Sequence, residues 1–417
     1  MTTTAEATIH HQQLDNGLAV VVEPMPSTQS AAVQVLLPGG LTAELPGQAG
    51  SAGLLAEMLL RGTDGRSARE VSDALDDLGA ERSTSATTHH LAVGGSCVAD
   101  KLNDVLAELM AIARKPDLEA EPFTGARLLA EQAIEGLTDE PQRRAMIELK
   151  AQHLPDPLGR SDLGELDAVR ALTTDDLRAL HERVASPSGT IVAVAGNVVP
   201  DEVIDRVAAL TSDWRGSGPQ EATPAGQPSG YHHVEAKTTQ VHIAGASHAV
   251  AERDEAASML QKVAVAVLSG GMSGRLFTEV REKRGLCYSV YATYAGLADR
   301  GAVFSYAGTT TARAQETLDV LAGELRRLAE GVTADEFERA IVGLKARLVM
   351  QGESTAARAA ALARDLFVHG KPRALGALAA QVDAVTLDDL NRFVADSAPT
   401  AMTWVTIGPE ALTPPTP

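Results

Sequence analysis

Two short stretches place reactive side chains at spacings that matter for chemistry. In "REKRGLCY", Arg284 and Tyr288 stand four residues apart. A guanidinium and a phenol are strong donors that can hold and polarise a carbonyl oxygen in a partly dry cleft, although the spacing by itself is more simply read as a surface arginine beside a half-buried core tyrosine. In "TSATTHHLAVGG", His89 and His90 are adjacent. Neighbours on a strand point to opposite faces, so at most one of them serves a given site. The 11 histidines nowhere form His-x-x-Glu-His or His-x-x-x-His, the helical spacing that sets two imidazoles one turn apart on a Zn²⁺. His10 with His11 and His232 with His233 offer no ligand geometry. "SGGMSG", Ser269 to Gly274, is not a phosphate cradle, because no Gly-Lys-Ser/Thr follows it.

The elements that must position these residues follow from periodicity. "GLAVVVEPM" and "SAAVQVLLPGG" alternate β-branched residues and end in turns, as strands do. Helical spacing follows in "AGLLAEMLL", "SAREVSDALDDLGA" and "DKLNDVLAELMAIARK". "SGTIVAVAGNV" reads as a buried strand opening onto a glycine, and "DEVIDRVAALTSDW" as the next helix. The stretch "RGSGPQEATPAGQPSGYHH" has a linker's composition. The order then repeats. "VRALTTDDLRALHERVASPSGTIVAVAG" begins at Val169 and "VDAVTLDDLNRFVADSAPTAMTWVTIG" at Val382. In each, a threonine (Thr173, Thr386) precedes an Asp-Asp-Leu helix, an N-cap with acid in the first turn. The expected architecture is α+β: two homologous domains, each an antiparallel sheet with helices packed on one face. The first spans residues 1–215 and the second 228–417, with a linker at 216–227.

Composition narrows the function. A chain of 417 residues with 44% hydrophobic and 22% charged residues is globular and long enough for two cores. Its net charge of -19 argues against a nucleic-acid partner, since phosphates would be repelled. The two cysteines, Cys97 and Cys287, lie far apart, which suits a reducing compartment and builds no disulfide framework. The N-terminal residues show no signal-peptide pattern, and no run of 18 apolar residues occurs. A cytoplasmic protein without a membrane partner is expected.

Four stretches in order carry a resemblance: "GSAGLLAEMLLRGT", "DPLGRSDLGELDAVRALTTDDLRALHERVASPSGTIVAVAGNV", "KTTQVHIAGASH" and "LSGGMSGRLFTEVREKRGLCYSVYATY". They resemble the insulinase/pitrilysin zinc-peptidase family, in the short bacterial branch similar to mitochondrial processing peptidase, from about Leu14 to Pro409. The resemblance implies two similar α/β domains that pair with a second subunit around a chamber where an extended peptide is cut. In active members the first-half helix carries His-x-x-Glu-His. Aligned on Gly50, Ala52, Met58, Gly62 and Thr63, the first ligand falls on Gly53, the base on Ala56 and the second ligand on Glu57. The distal glutamate falls at Glu131 or Glu135. Glycine offers no ligand, alanine accepts no proton, and carboxylates without an imidazole make no hydrolytic zinc site.

The same resemblance assigns Arg284 and Tyr288 to peptide binding near the scissile carbonyl, with Gly270 and Gly271 as a short counterpart of a substrate-contacting glycine-rich loop. A plain turn into the next helix explains those two glycines equally well. The expectation is a non-catalytic, substrate-binding subunit without a metal of its own. Its partner would be a homologous chain that holds zinc, with self-association also open. The alternatives are a structural subunit like the core proteins of cytochrome complexes, or an atypical metallopeptidase built on Glu57, His89 or His90 and the distal glutamate.

Overall fold

The computed structural model describes residues 8–219, 224–225, 230–399 and 401–415. The first half lays down strands β1 (His10–Gln13), β2 (Ala19–Pro24) and β3 (Ser30–Pro38), helix α1 (Ser51–Met58), and a small hairpin of β4 (Gly62–Thr63) and β5 (Arg66–Ser67). Next come α2 (Ala68–Asp77), β6 (Glu81–Ala86), β7 (His90–Val98), α3 (Leu102–Arg114), α4 (Ala120–Glu135) and α5 (Pro141–His153). It closes with α6 (Leu166–Ala171), α7 (Thr174–Val184), β8 (Ile191–Gly196) and α8 (Pro200–Thr211). The second half begins with β9 (Gly230–Glu235), β10 (Gln240–Ala249), α9 (Glu255–Ser269), a π-helical turn (Phe277–Glu282), β11 (Cys287–Gly296) and β12 (Gly301–Thr310). It ends with α10 (Ala314–Arg327), α11 (Ala334–Gly352), α12 (Thr355–His369), α13 (Leu375–Ala384), α14 (Leu387–Asp396) and β13 (Met402–Gly408).

The expected repeat is present in detail. Thr173 and Thr386 each accept a bond from the backbone N–H three residues on, Asp176 and Asp389, and so cap α7 and α14. The strands that follow occupy equivalent places. β8 runs parallel to β2 and antiparallel to β3, and β13 runs parallel to β9 and antiparallel to β10. The sheet orders are β1-β2-β8-β3-β7-β6 and β11-β12-β10-β13-β9. One parallel pair in each sheet is therefore added to the otherwise antiparallel arrangement expected.

Each sheet carries its main helical layer on one face, as expected. The first buries Val20, Val22, Val33, Val35, Val192 and Val194 beneath the helices of its own half. The opposite face is also covered, by a single helix from the other half of the sequence. Ala359, Leu362, Ala363 and Leu366 of α12 pack on Val21, Ala32, Ala193 and Ala195. In the second sheet Ala145 and Leu149 of α5 pack on Ala244, Ala246, Ala302 and Phe304. Alanine on that face of both sheets lets a helix approach closely, so dispersion contacts are made over its length.

This exchange corrects the sequential domain limits 1–215 and 228–417. One compact unit comprises 1–136, 160–224 and 351–374, and the other 137–159, 225–350 and 375–417. Of the expected linker 216–227, residues 220–223 and 226–227 lie outside the described residues.

Candidate functional site

Helix α1 begins without a capping side chain of its own: Gly50 is left-handed (φ 98°) and contributes none. Glu44 supplies the anion instead, its buried Oε1 accepting from the backbone N–H groups of Gly50 (2.9 Å) and Ala52 (3.0 Å). Arg160 donates to the Glu44 carbonyl (2.9 Å), which ties the loop after α5 to the same corner. That loop runs over the start of α1. A Cβ on Gly164 would lie 2.3 Å from the Gly50 Cα, so two glycines pack backbone to backbone.

The same loop fills the first ligand position. A Cβ on Gly53 would lie 2.1 Å from the Asp162 carbonyl oxygen, far inside any real contact. Ala56 is buried with 3% of its surface exposed. Glu57 points outward and is held by Arg61 one turn on, at 2.5 Å and 3.2 Å. The two distal candidates share one cation: Arg170 binds Glu131 at 3.2 Å and Glu135 at 2.9 Å. A backbone carbonyl at one position, a methyl at the second and an arginine-paired carboxylate at the third do not fit a zinc ion. Among the described residues, no group of three His, Cys, Asp or Glu side chains stands ready for a metal.

His89 and His90 correct the alternation argument. β7 starts at His90, so His89 precedes the strand, and both rings lie against Phe367 of α12, at centroid distances of 5.3 and 4.4 Å. Burial pulls the pKa of His90 down to about 3, so it stays a neutral packing residue.

The second stretch is built differently. The segment after α9 winds as a π-helix, with Lys283 N–H bonded to the Thr278 carbonyl five residues back (2.9 Å), a conformation found mostly at functional positions. Gly285 ends it at φ 59°, a left-handed turn that glycine accepts without strain. Arg284 Nη1 donates to the Glu279 carbonyl (2.7 Å) and Oε2 (2.9 Å), while 40% of its side chain remains exposed. Hydrogen bonds from Lys283 and then Arg284 hold the Glu279 carboxyl below its usual range.

Tyr288 sits where the register of the β11–β12 pair shifts between Cys287 and Ser289. Such a bulge re-aims a side chain. Tyr288 is 54% exposed, and its hydroxyl donates to Gln240 Oε1 on β10. Gln240 and Tyr306 were not singled out from sequence, although Gln240 and His242 in "KTTQVHIAGASH" share a face by strand alternation. Tyr306 comes to the site through pairing register alone.

Gly270 and Gly271 have a local explanation. Gly270 caps α9, Gly271 has φ 149°, and Gly274 N–H bonds to the Gly271 carbonyl (3.0 Å), closing a turn. Both cysteines are free and buried, and burial pushes each thiol up to about 11. No helix of the described residues is long and apolar enough to cross a membrane.

The chain is similar to known proteins along most of its length. Residues 19–164 match the model of the insulinase family (peptidase family M16), and residues 171–344 match that of the peptidase M16 inactive domain. The chain is 30% identical to an uncharacterized zinc protease of Streptomyces coelicolor, over 96% of this chain and 90% of that one. It is also 30% identical to one of Mycobacterium tuberculosis, over 91% and 88%. Among solved structures, a peptidase M16 inactive domain from Pseudomonas fluorescens superposes with a TM-score of 0.88 at 19% identity, over 98% of this chain and 100% of that one. A protease from Helicobacter pylori gives 0.85 at 20% identity, over 97% and 100%. At such identities these two structures establish the shared fold.

Proposed function

Because the chain belongs to the insulinase family of peptidases, peptidase family M16, we propose that it is a non-catalytic, substrate-binding subunit of a cytoplasmic heterodimeric zinc peptidase. A homologous partner holds the zinc and the glutamate base. This chain closes the chamber and presents Arg284 and Tyr288 to the peptide. The observation that carries the reading is the contact at Gly53, where the Asp162 carbonyl takes the space of the first ligand's Cβ. On this reading the zinc chemistry belongs to the partner, and this chain's second half contributes an exposed guanidinium just after a π-helical turn and an exposed phenol at a bulge.

In the chamber, the free side of the Arg284 guanidinium would donate to a peptide carbonyl, and the Tyr288 hydroxyl would join it once its one proton is released from Gln240 Oε1. Preorganised donors of this kind stabilise the charge that develops on a carbonyl oxygen under attack. No step of the bond cleavage is assigned to a residue of this chain.

The test is reconstitution. Purified alone, the chain is expected to carry no stoichiometric zinc by elemental analysis and to cleave no peptide. Mixed with a homologous chain that has an intact His-x-x-Glu-His, it should give chelator-sensitive hydrolysis that neither shows alone. One tightly bound zinc per chain, with hydrolysis by the isolated chain, would overturn the reading.

A further inference from the structure

Two tyrosine hydroxyls converge on one bare Cα. A Cβ on Gly308 would lie 2.9 Å from the Tyr306 hydroxyl and 3.6 Å from the Tyr288 hydroxyl. Gly308 lies inside β12, paired with His242 on one side and Ser289 on the other, and its φ is not positive. The backbone does not require glycine there; the Tyr306 hydroxyl does, with the Tyr288 hydroxyl at ordinary contact distance.

Tyr306 is 1% exposed, stacks on Tyr291 at 5.4 Å, and meets His242 Nδ1 at 2.7 Å. His242 is 4% exposed, and its buried Nε2 finds no hydrogen-bond partner among the described residues. Core packing alone would favour phenylalanine or leucine at 242, because an unmet buried nitrogen destabilises the fold. Burial pulls the imidazole's pKa down and pushes the phenol's up, so neither ionises near neutrality and their bond persists. Three of the chain's 5 tyrosines, Tyr288, Tyr291 and Tyr306, meet on this one patch.

We infer that Gln240, His242, Tyr306 and Gly308 are positioning residues that fix the Tyr288 hydroxyl for a peptide carbonyl, an inference that rests on the substrate-holding reading of Tyr288. An exposed tyrosine on a bulged edge strand would otherwise sample several rotamers, and holding it still must overcome that entropy. Gln240 holds the hydroxyl from one side: with substrate bound, its amide turns so that the NH₂ donates to the Tyr288 oxygen and the phenol's one proton goes to the carbonyl. Tyr306, anchored on His242, brings its hydroxyl to the space Gly308 leaves bare, where the Tyr288 hydroxyl also arrives. A displacement of about 1 Å at such a donor can cost on the order of 10²-fold in rate, so the residues that hold it matter as much as the donor.

The experiment uses the full chain labelled with ¹³C at the tyrosine ζ carbon, its five signals assigned by single Tyr→Phe changes. Gln240→Leu should shift the Tyr288 signal. His242→Phe and Gly308→Ala should shift both Tyr306 and Tyr288, with melting temperatures near that of the parent chain. In the reconstituted peptidase, each variant should lower kcat/KM by about 10-fold, below the loss expected for removing the donor itself. An unmoved Tyr288 signal in all variants that fold overturns the positioning set. If Gly308→Ala does not fold, the other two variants decide. A shifted Tyr288 signal with unchanged turnover leaves the positioning intact and refutes the carbonyl-holding reading beneath it.

Discussion

The start of α1 in one compact unit and the π-helical turn with its bulged strand in the other are the chain's two divergent sites, set in sheets of like topology. At α1 the backbone has closed in: Asp162 and Gly164 approach Gly53 and Gly50 at distances that only glycine permits. In the second stretch Arg284 and Tyr288 keep 40% and 54% of their surface exposed. The lesson is that an emptied motif is distinguished less by its missing side chains than by what moves into their space. Once a carbonyl occupies the seat, restoring the ligand means displacing a loop.

Three experiments probe that comparison, beginning with what the two units share. Each has a buried histidine where the exchanged helix meets its sheet: His90 against Phe367, and His153 on α5 bonded to Thr403 at 3.0 Å. Burial depresses their pKa values to about 3 and about 4. Because the folded values lie below the unfolded value of about 6.5, the stabilisation is present above that pH and is lost as pH falls toward the folded values, at up to roughly 1.4 kcal/mol per pH unit for each histidine. Urea midpoints measured from pH 7 to pH 4 should fall accordingly. His90→Phe should flatten that decline, and an unchanged slope would remove His90 from the account.

Next in size is Gly53→His. The new Cβ must push the Asp162 carbonyl aside, which should destabilise the first unit by about 3 kcal/mol or more. The triple variant Gly53→His, Ala56→Glu, Glu57→His should still fail to retain zinc, because the loop holds the seat. Zinc uptake by the triple variant with an undiminished melting temperature would show that the loop yields easily and that the two sites differ less than proposed.

The smallest effect is kinetic. Arg284→Ala with Tyr288→Phe should lower turnover of the reconstituted peptidase by about 10²-fold, the usual scale for lost transition-state donors, without preventing assembly. Equal turnover would leave the second site as a relic and favour a scaffold subunit.

Much of this was legible in the sequence because it rests on neighbours along the chain. Thr173 and Thr386 announced their helices through caps that bond three residues ahead. The alternation in "SGTIVAVAG" and "TAMTWVTIG" announced the strands, and the shared order announced the repeat. Arg284 and Tyr288 were legible as neighbours because a helix end and a strand start lie four residues apart along the chain. The distal glutamate was not, because Arg170, which binds both Glu131 and Glu135, comes from a separate helix.

The sequence by itself determined the α+β class, the duplication and the absence of an imidazole pair, since these depend on period and residue type. Tertiary structure alone decided which sheet each exchanged helix covers, because an alanine-lined face accepts any helix of matching shape. It alone brought Asp162 onto Gly53, and it turned the Tyr306 and Tyr288 hydroxyls toward Gly308. Those contacts join segments far apart in the chain through register and loop closure, which no local pattern encodes.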